Sequence, residues 1–537
     1  MESVIYNPLE EFESKFRNLH LDNTNKFLDR LVQQSKVDIE ENRKTVEQYN
    51  NYKVNLVKLR KKLNWLRFLR VLMIITLVLI PLVILKTTPA IQALRKDIEF
   101  SDSKVDELLK TAYNQMLPLN NLFTDADALD LIHETIPLLS FDACFSVDKE
   151  NDMKINYDFC SQSYDQESTI DVLSGDYNEN PFLFENRVIH FMGTETYHGY
   201  RTISWTETYT DSNGKLQSRT KSETLHATVV KPKPYYNTQV VLHYGSQSGP
   251  ELSFSRDASH LEMKSEKALE RHVKKGEKKL KRKTDKALSQ NQDFVSMSNS
   301  DFEVLFDALD RNNEVQFRSL FTPLAQTNMV DLILSKTGYG DDFNFIKTNR
   351  MNKIITNHSQ GRTINLTSDA YVSYSFDIIK DNFVSKNVEF FKAVYFDFAP
   401  LLAIPSYQER PVHSLKPVPD YSQLYSLMEC EALANAVDPK YVVHPNTKTH
   451  AILKSSFVKS EGDVDETRIT SYSYDIAPRV DVVSVYGGDG RYHNVEVPWD
   501  EYLPLSVQRN FLVTKSENAQ GRQVMAKKNG LCIFSAK

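Results

Sequence analysis

Thr202–Thr224 reads TISWTETYTDSNGKLQSRTKSET. Two β-prone segments, Thr202–Thr210 and Leu216–Thr224, flank the turn Asp211–Lys215. Asn213-Gly214 at its centre tolerates the positive φ that a tight hairpin turn needs. Thr, Glu and Ser alternate with Ile, Trp and Tyr, so one face of the sheet should be solvated. Working outward, strands are expected from about residue 187, and Leu225–Tyr244 should add two more around the Pro-interrupted segment Lys231–Tyr236. Pro cannot donate to a sheet ladder, which argues for a break there.

Beyond the hairpin the pattern becomes helical. Leu261, Leu269, Val273 and Leu280 form a thin apolar stripe within residues 256–290, where Gly276 weakens the helix by up to about 1 kcal/mol. Phe302–Leu309 reads as a helix, and Thr322 can cap another that starts at Pro323 and runs through Leu324–Leu334. Strands are expected at Tyr371–Ile379, Val388–Phe398, Tyr441–Val443, Ala451–Phe457, Arg468–Ile476 and Val480–Tyr486, with a helix over Leu424–Val437. Strand and helix runs are segregated rather than alternating, so the class is α+β: a helical N-terminal region with a transmembrane helix, then mixed antiparallel β-sheet and helices.

The transmembrane expectation rests on Val71–Leu85, VLMIITLVLIPLVIL, the only long apolar run in 537 residues. Extension back to Trp65 makes roughly 31 Å of helix, enough to span a hydrocarbon core. Lys53, Lys58, Arg60, Lys61, Lys62, Arg67 and Arg70 precede the run, and only Lys86, Arg95 and Lys96 follow it closely. The basic excess stays cytoplasmic, which predicts a single-pass plasma-membrane protein with its N-terminus inside and residues from about 87 outside. Because the run is short and contains Pro81, a re-entrant hairpin with both parts cytoplasmic is the alternative. Before the run, Leu56, Leu59, Leu63 and Leu66 make a heptad-like seam. It suits self-association of a coiled coil and packing on its own chain equally. Residues 92–140 also read as helical, with Leu108, Leu109, Ala112 and Met116 on one face.

The expected domains are a helical, coiled-coil-like region 1–64, the membrane helix 65–86, a helical or mixed segment 87–185, an α+β domain 186–410 that contains the basic helix 256–290, and a β-rich region 411–537. Sixty-five basic residues against 71 acidic give no global bias toward nucleic acid. Cys144, Cys160, Cys430 and Cys532 are too sparse for a disulfide framework. Cys144 and Cys160 could pair outside the cytoplasm or stay as buried thiols.

Chemical motifs are few. Phosphate-loop, zinc-protease and nucleophile-elbow patterns are absent from the sequence. Gly338-Tyr339-Gly340-Asp341-Asp342 and Gly487-Gly488-Asp489-Gly490 read as turns. His444, His450 and His493 lack a fixed carboxylate partner for a metal, and Asp463, Asp465 and Glu466 read as a solvated acidic turn. These patterns leave the catalytic residues, if there are any, unknown, and no cofactor or metal ligand is expected from them. The candidate contact site is electrostatic: Lys264, Lys267, Arg271, Lys274, Lys275, Lys278, Lys279, Lys281, Arg282, Lys283 and Lys286 face four acids between Lys264 and Lys286. A solvated helix face is the plain reading and anionic lipid the functional one. Nucleic acid is not expected, since the segment has no aromatic residue to stack on bases.

The segments YHGYRTISWTETYTDSNGK and SETLHATVV, with Ser300–Leu334 further on, resemble a family of bacterial membrane-anchored proteins of mollicute and low-GC Gram-positive type, built around a domain of unknown function. The likeness covers about residues 50–410. It implies membrane anchoring and no activity or catalytic residues. Family members commonly have two spans, whereas this chain shows one run, which leaves the orientation of the large part open.

The resulting expectation is a membrane-anchored, non-enzymatic binding or scaffolding protein of the bacterial envelope, with a lipid membrane and an unknown protein as partners. The alternatives are a membrane-tethered, hydrolase-like enzyme and a cytoplasmic-facing domain docking on anionic lipid through Lys264–Lys286. A cleft with converging perturbed carboxylates or histidines would favour the enzyme.

Overall fold

The computed structural model describes residues 4–75, 80–160, 166–290, 294–411, 416–417, 423–515, 525–528 and 531–535, without the side chains of 72–86 and of residues from 515 on. Two units emerge: one holds residues 1–9, 138–364 and 396–537, the other residues 10–137 and 365–395.

The second unit is helical. The short α1 (Pro8–Glu11) passes through a π-helical turn, Phe12–Phe16, into α2 (Arg17–Ser35). Then come α3 (Ile39–Ile75), α4 (Ile80–Asn120) and α5 (Asp127–Thr135). Leu28, Met116, Leu119, Phe123 and Leu131 bury together with Tyr371, Ile379 and Phe383. His20 stacks on Phe391 at 4.0 Å and bonds Thr135 Oγ1 through Nδ1 at 2.9 Å.

α3 and α4 run antiparallel along each other. Asn42 Nδ2 donates to Ala112 O at 3.3 Å, Arg60 binds Asp102 at 2.8 Å, and Leu63 packs on Ile91 and Leu94. Leu59 and Leu66 join that cluster, so the leucine seam is covered by its own chain. Self-association through it would require the two helices to part. The expected membrane run Val71–Leu85 falls almost wholly among undescribed side chains, and residues 76–79 lie outside the described residues altogether. Among the described residues no helix is long and apolar enough to cross a membrane.

The first unit is α+β. Its elements run β1 (Leu139–Phe141), α6 (Val147–Tyr157), β2 (Glu167–Tyr177), β3 (Asn180–Thr210), β4 (Leu216–Gly245) and β5 (Ser253–Arg256). Four helices follow: α7 (Glu266–Ser289), α8 (Ser300–Phe306), α9 (Glu314–Leu320) and α10 (Pro323–Leu334). β6 (Phe343–Thr348) and β7 (Met351–Thr356) complete an antiparallel sheet in the order β1-β2-β3-β4-β7-β6-β5. After α11 (Phe376–Leu402) and α12 (Leu427–Asn435), the strands β8 (Ile452–Glu461), β9 (Val464–Tyr486), β10 (Tyr492–Lys515), β11 (Met525–Lys528) and β12 (Leu531–Ser535) form a second sheet, β11-β12-β10-β9-β8.

The Asn213-Gly214 turn is present, with Gly214 at φ +75° and Thr210 opposite Leu216. β4 is one strand of 30 residues, not three. Pro232 and Pro234 share parity, facing Thr194 and Met192 of β3, so both missing N–H groups lie on the far edge. That edge pairs with β7 only at Leu242–Gly245, and the prolines therefore break no ladder. The same reasoning makes β9 continuous through Pro478. The long hairpins β3–β4 and β9–β10 bury Ile203, Leu225 and Ala227 against Val495 and Val497. Arg201 Nη1 donates to Asn494 O at 2.7 Å, and a side chain at Gly199 would meet Glu496 O at 2.2 Å. The polar alternate residues of Thr202–Thr210 stay outside.

Several expectations are corrected. Strands begin with the short β1 at Leu139 and the long β2 at Glu167, not near 187. Tyr371–Ile379 and Val388–Phe398 are not strands: α11 takes in Phe376–Ile379 and all of the second segment, because Phe383, Phe390, Phe391 and Val394 recur at helical spacing and bury. Tyr441–Val443 is a 3₁₀ turn and its end. Gly276 brings α7 against α8: a Cβ there would lie 2.3 Å from Val304 Cγ1. Cys144 and Cys160 do not pair with each other in a disulfide.

Candidate functional site

Sheet alternation places one set of polar side chains on a single face of the first unit. Thr169 of β2 lies opposite Arg187 of β3, and Glu185 sits two residues before Arg187. His243 of β4 lies opposite Leu183 of β3 and Lys353 of β7. These residues form the floor of a cavity of about 500 Å³. Its other walls come from α6, α12 and β8. Ser146 caps α6 by accepting from Lys149 N at 3.2 Å, which presents Val147, Glu150, Asn151 and Lys154 on one helix face. Ser426 caps α12 by accepting from Glu429 N at 3.0 Å, and Leu427, Met428 and Glu431 line the cavity from it. Lys454 and Ser455 arrive from β8, and Phe159 and Cys160 from the end of α6.

The charges are paired across these walls. Lys154 meets Glu150 at 2.7 Å, Arg187 meets Glu167 at 2.9 Å, and Lys454 meets Glu431 at 3.2 Å. His243 Nε2 lies 3.1 Å from Glu185 Oε2. Glu431 also accepts from Thr169 N at 2.6 Å and Ser455 N at 3.3 Å, and Thr169 Oγ1 donates to Glu185 at 3.3 Å. Thr169 thus bridges the two buried carboxylates.

Burial pushes the Glu431 carboxyl up to about 7, against the pull of Lys454 and the two amides. Burial also works to raise Glu185, but the His243 hydrogen bond and the Arg187 and His243 interactions outweigh it and hold the carboxyl below its usual range. His243 is held low by burial, which outweighs Glu185, with the Lys353 charge adding to the effect. An ionised Glu185 beside a neutral His243 fixes the tautomer: Nε2 carries the proton and Nδ1 keeps a bare lone pair. His243 Nδ1 and Arg187 Nε are both buried without a hydrogen-bond partner among the described residues.

A second buried network surrounds His358. Its Nδ1 lies 2.6 Å from Asp342 Oδ2 and its Nε2 3.3 Å from Asp397 Oδ1, while Tyr339 stacks on the ring at 3.8 Å. Asp397 also accepts from Thr356 and Ser359, both at 2.6 Å, and from Arg362 at 2.5 Å. Asp341 pairs with the buried Arg256 and accepts from Ser259 and Leu261 amides at 3.1 and 3.3 Å. The Gly338–Asp342 turn therefore anchors buried ion pairs, and its role is cohesion.

All of the basic segment but Lys264 lies on α7, whose Leu280 and Ala287 pack with Phe294 and Val304. Lys267, Arg271, Lys274, Lys275, Lys278 and Lys279 are exposed, as are Lys281, Arg282 and Lys286. Lys264 and Lys283 are half-buried: Lys264 Nζ lies 3.3 Å from His272, and Lys283 bonds Leu309 O and sits 4.1 Å from the Phe294 ring centre. Asp465 is no solvated turn residue. It is buried and accepts from the Leu424 and Tyr425 amides at 2.8 and 2.9 Å. His493 binds Asp489 at 2.9 Å and His444 Nδ1 accepts from Asn446 N at 3.2 Å. No group of three or more His, Cys, Asp or Glu side chains among the described residues is placed to hold a metal ion.

None of the charged residues of the cavity was singled out from the sequence, and Cys160 was noted only for its possible pairing with Cys144. One local signal existed: Glu185 follows three buried residues, Phe182, Leu183 and Phe184, and a charge inside an apolar strand needs a partner. No protein-family model, no curated protein and no solved structure matches the chain.

Proposed function

We propose that the chain is a membrane-associated binding protein whose first unit takes a small polar ligand in the cavity above the β2-β3-β4-β7 face. The observation that carries this reading is the convergence of Glu185, His243, Lys353, Glu431 and Lys454 on about 500 Å³ of space. That is the size range of small-molecule sites, and oriented polar groups of this kind supply specificity there. The test is a thermal-shift screen of the full chain against a library of small polar metabolites. At least one class should raise the melting temperature, and Ser455→Trp, which puts an indole in place of a small lining side chain, should abolish that rise. A library without a hit overturns the reading.

The membrane part rests on the apolar run 71–85 and the antiparallel arms around it. A single crossing would separate Arg60 from Asp102 by about 30 Å of hydrocarbon, yet the two are in contact at 2.8 Å. The re-entrant form, with the apolar run entering the bilayer from one side and the basic arm Lys53–Arg70 near the headgroups, accommodates both. It places both flanks on the cytoplasmic side, in place of the extracytoplasmic large part expected from charge bias alone. The resemblance of Tyr197–Lys215 and Ser300–Leu334 to bacterial membrane-anchored proteins supports the same location. A C-terminal tag should resist protease on intact cells and be cleaved after lysis; cleavage on intact cells refutes the re-entrant form.

One observation favours an enzyme as the second reading. Glu431 and Glu185 have their proton affinities pushed apart within one cavity, the usual mark of an acid and base pair. Under that reading Glu431→Gln abolishes turnover of a ligand it still binds. Docking of exposed Lys274, Lys278 and Lys281 on anionic lipid would show as vesicle binding that falls with salt and with their replacement by Glu.

A further inference from the structure

α7 carries a repulsion that its packing does not require. Lys267, Arg271, Lys275 and Lys279 follow one another at four-residue steps, and so do Lys274, Lys278, Arg282 and Lys286. Like charges at that spacing are neighbours on a helix and destabilise it. A solvated face ordinarily interleaves both signs. Among the described residues, Lys279 is the only exposed cation of α7 with an ion pair, to Asp307 at 3.8 Å. At about 3.6 residues per turn, these cations and Lys281 fall within about 160° of arc along about 28 Å of helix. Asp285 is the one acid inside that arc, and no Leu, Ile, Val, Met or aromatic residue lies there. Glu277, beyond its border, accepts from Ser300 Oγ at 3.0 Å. The opposite side of the helix is fixed: Leu280 and Ala287 are buried with Phe294 and Val304, and Gly276 lets Val304 come close. The cations are thus presented as one ordered strip.

The strip fits a surface of negative charge. Nucleic acid is the poorer match. Seven of the nine cations are Lys rather than Arg, whose planar fork suits recognition of single phosphates, and nothing on the arc stacks on a base. A leaflet of acidic lipid asks for neither. It attracts each basic residue through its surface potential, about fivefold in affinity apiece. Such a surface is also close at hand for a chain whose apolar run enters the bilayer, which raises its effective concentration. With no apolar side chain on the arc, nothing inserts among the lipids, and charge alone holds the contact.

We propose that α7 docks the first unit flat on an anionic leaflet by charge alone, so that the unit is held at the bilayer only where acidic lipid is dense. The proposal rests on the lipid reading above and adds what switches the contact. Many weak attractions acting together make docking steep in surface charge and reversible by salt. The test embeds the full chain in nanodiscs of phosphatidylcholine, alone or with rising shares of phosphatidylserine, and follows acetylation of its lysines by mass spectrometry. Lys267, Lys275 and Lys279 should react at least about fivefold more slowly in the serine-lipid discs, with the change concentrated over a narrow range of composition. Lys215 and Lys440, exposed elsewhere on the first unit, should react equally in both. Salt at about 1 M, which screens charges beyond about 3 Å, should erase the difference. Lys274→Glu, Lys278→Glu and Lys281→Glu together should erase it too, at an unchanged melting temperature, since all three are exposed. Equal rates in both discs, protection that survives the salt, or stronger protection by an RNA oligonucleotide in phosphatidylcholine discs than by serine lipid overturns the proposal. A chain that leaves phosphatidylcholine discs yet is held by serine-lipid discs until salt is added would refute the membrane-run reading and support this one. A chain that stays with neither disc refutes both.

Discussion

Replacing His358 by Gln should destabilise the first unit by about 3 kcal/mol at pH 6 and by far less at pH 10. The ring is 7% exposed and lies between Asp342 and Asp397. Burial works to lower its pKa, but the hydrogen bonds and charges of both carboxylates outweigh burial and push it from 6.5 up to about 9. A rise of about two and a half pH units, at about 1.4 kcal/mol each, gives the magnitude. The folded state binds the proton more tightly than the unfolded state. The stabilisation is therefore complete below pH 6.5 and disappears as pH rises through about 9. Gln keeps much of the volume but carries no charge, so Asp342 loses its imidazolium and Asp397 is left with Arg362 as its cation. Losing one member of a buried charge network costs about 3–5 kcal/mol in other proteins, which agrees in size. Urea unfolding of both proteins at pH 6, 7.5 and 9.5 measures the gap, and the difference between them isolates His358 from other titrating groups. A gap under about 1 kcal/mol at pH 6, or one that widens as pH rises, would show that the ring is held neutral and the argument is wrong.

The second unit should respond to pH in the opposite sense. Burial lowers His20 to about 4, so its contribution is intact above pH 6.5 and is lost as pH falls toward 4; His20→Gln, which can still bond Thr135, should flatten the urea midpoint across that window. Gly276→Ala would stabilise a free helix by about 1 kcal/mol. Here the added methyl meets Val304, so a net loss of about 1–3 kcal/mol is expected, and Val304→Ala should restore the melting temperature. Leu63→Asp puts a charge into the cluster with Ile91 and Leu94 and should strip hydrogen-exchange protection from residues 59–66 and 91–98 together. Loss confined to one arm would contradict their pairing.

What could be read from the chain, and what could not, follows from the range over which each feature is decided. The Asn213-Gly214 turn and the Thr322–Pro323 helix start are local, and both appear where expected. Pro232 and Pro234 misled because their effect depends on which strand edge is paired, a property of the neighbours. The Tyr, Val and Phe of α11 are strand formers by intrinsic preference, and tertiary burial at a spacing of three to four overrode it. The cavity is the extreme case. Glu185, His243, Lys353 and Glu431 come from four elements spread over most of the first unit. What brings them together is register: Leu183 opposite His243, and His243 opposite Lys353. A slip of one residue in β4 would turn His243 to the other side of the sheet and leave Glu185 buried and alone. Such a slip is opposed by the apolar residues on either side, since Val240, Val241, Leu242 and Tyr244 are all buried in the present register. The same packing that makes the strand a core strand therefore holds the Glu185–His243 hydrogen bond in place, and this explains why a run that reads as plain core carries the candidate site.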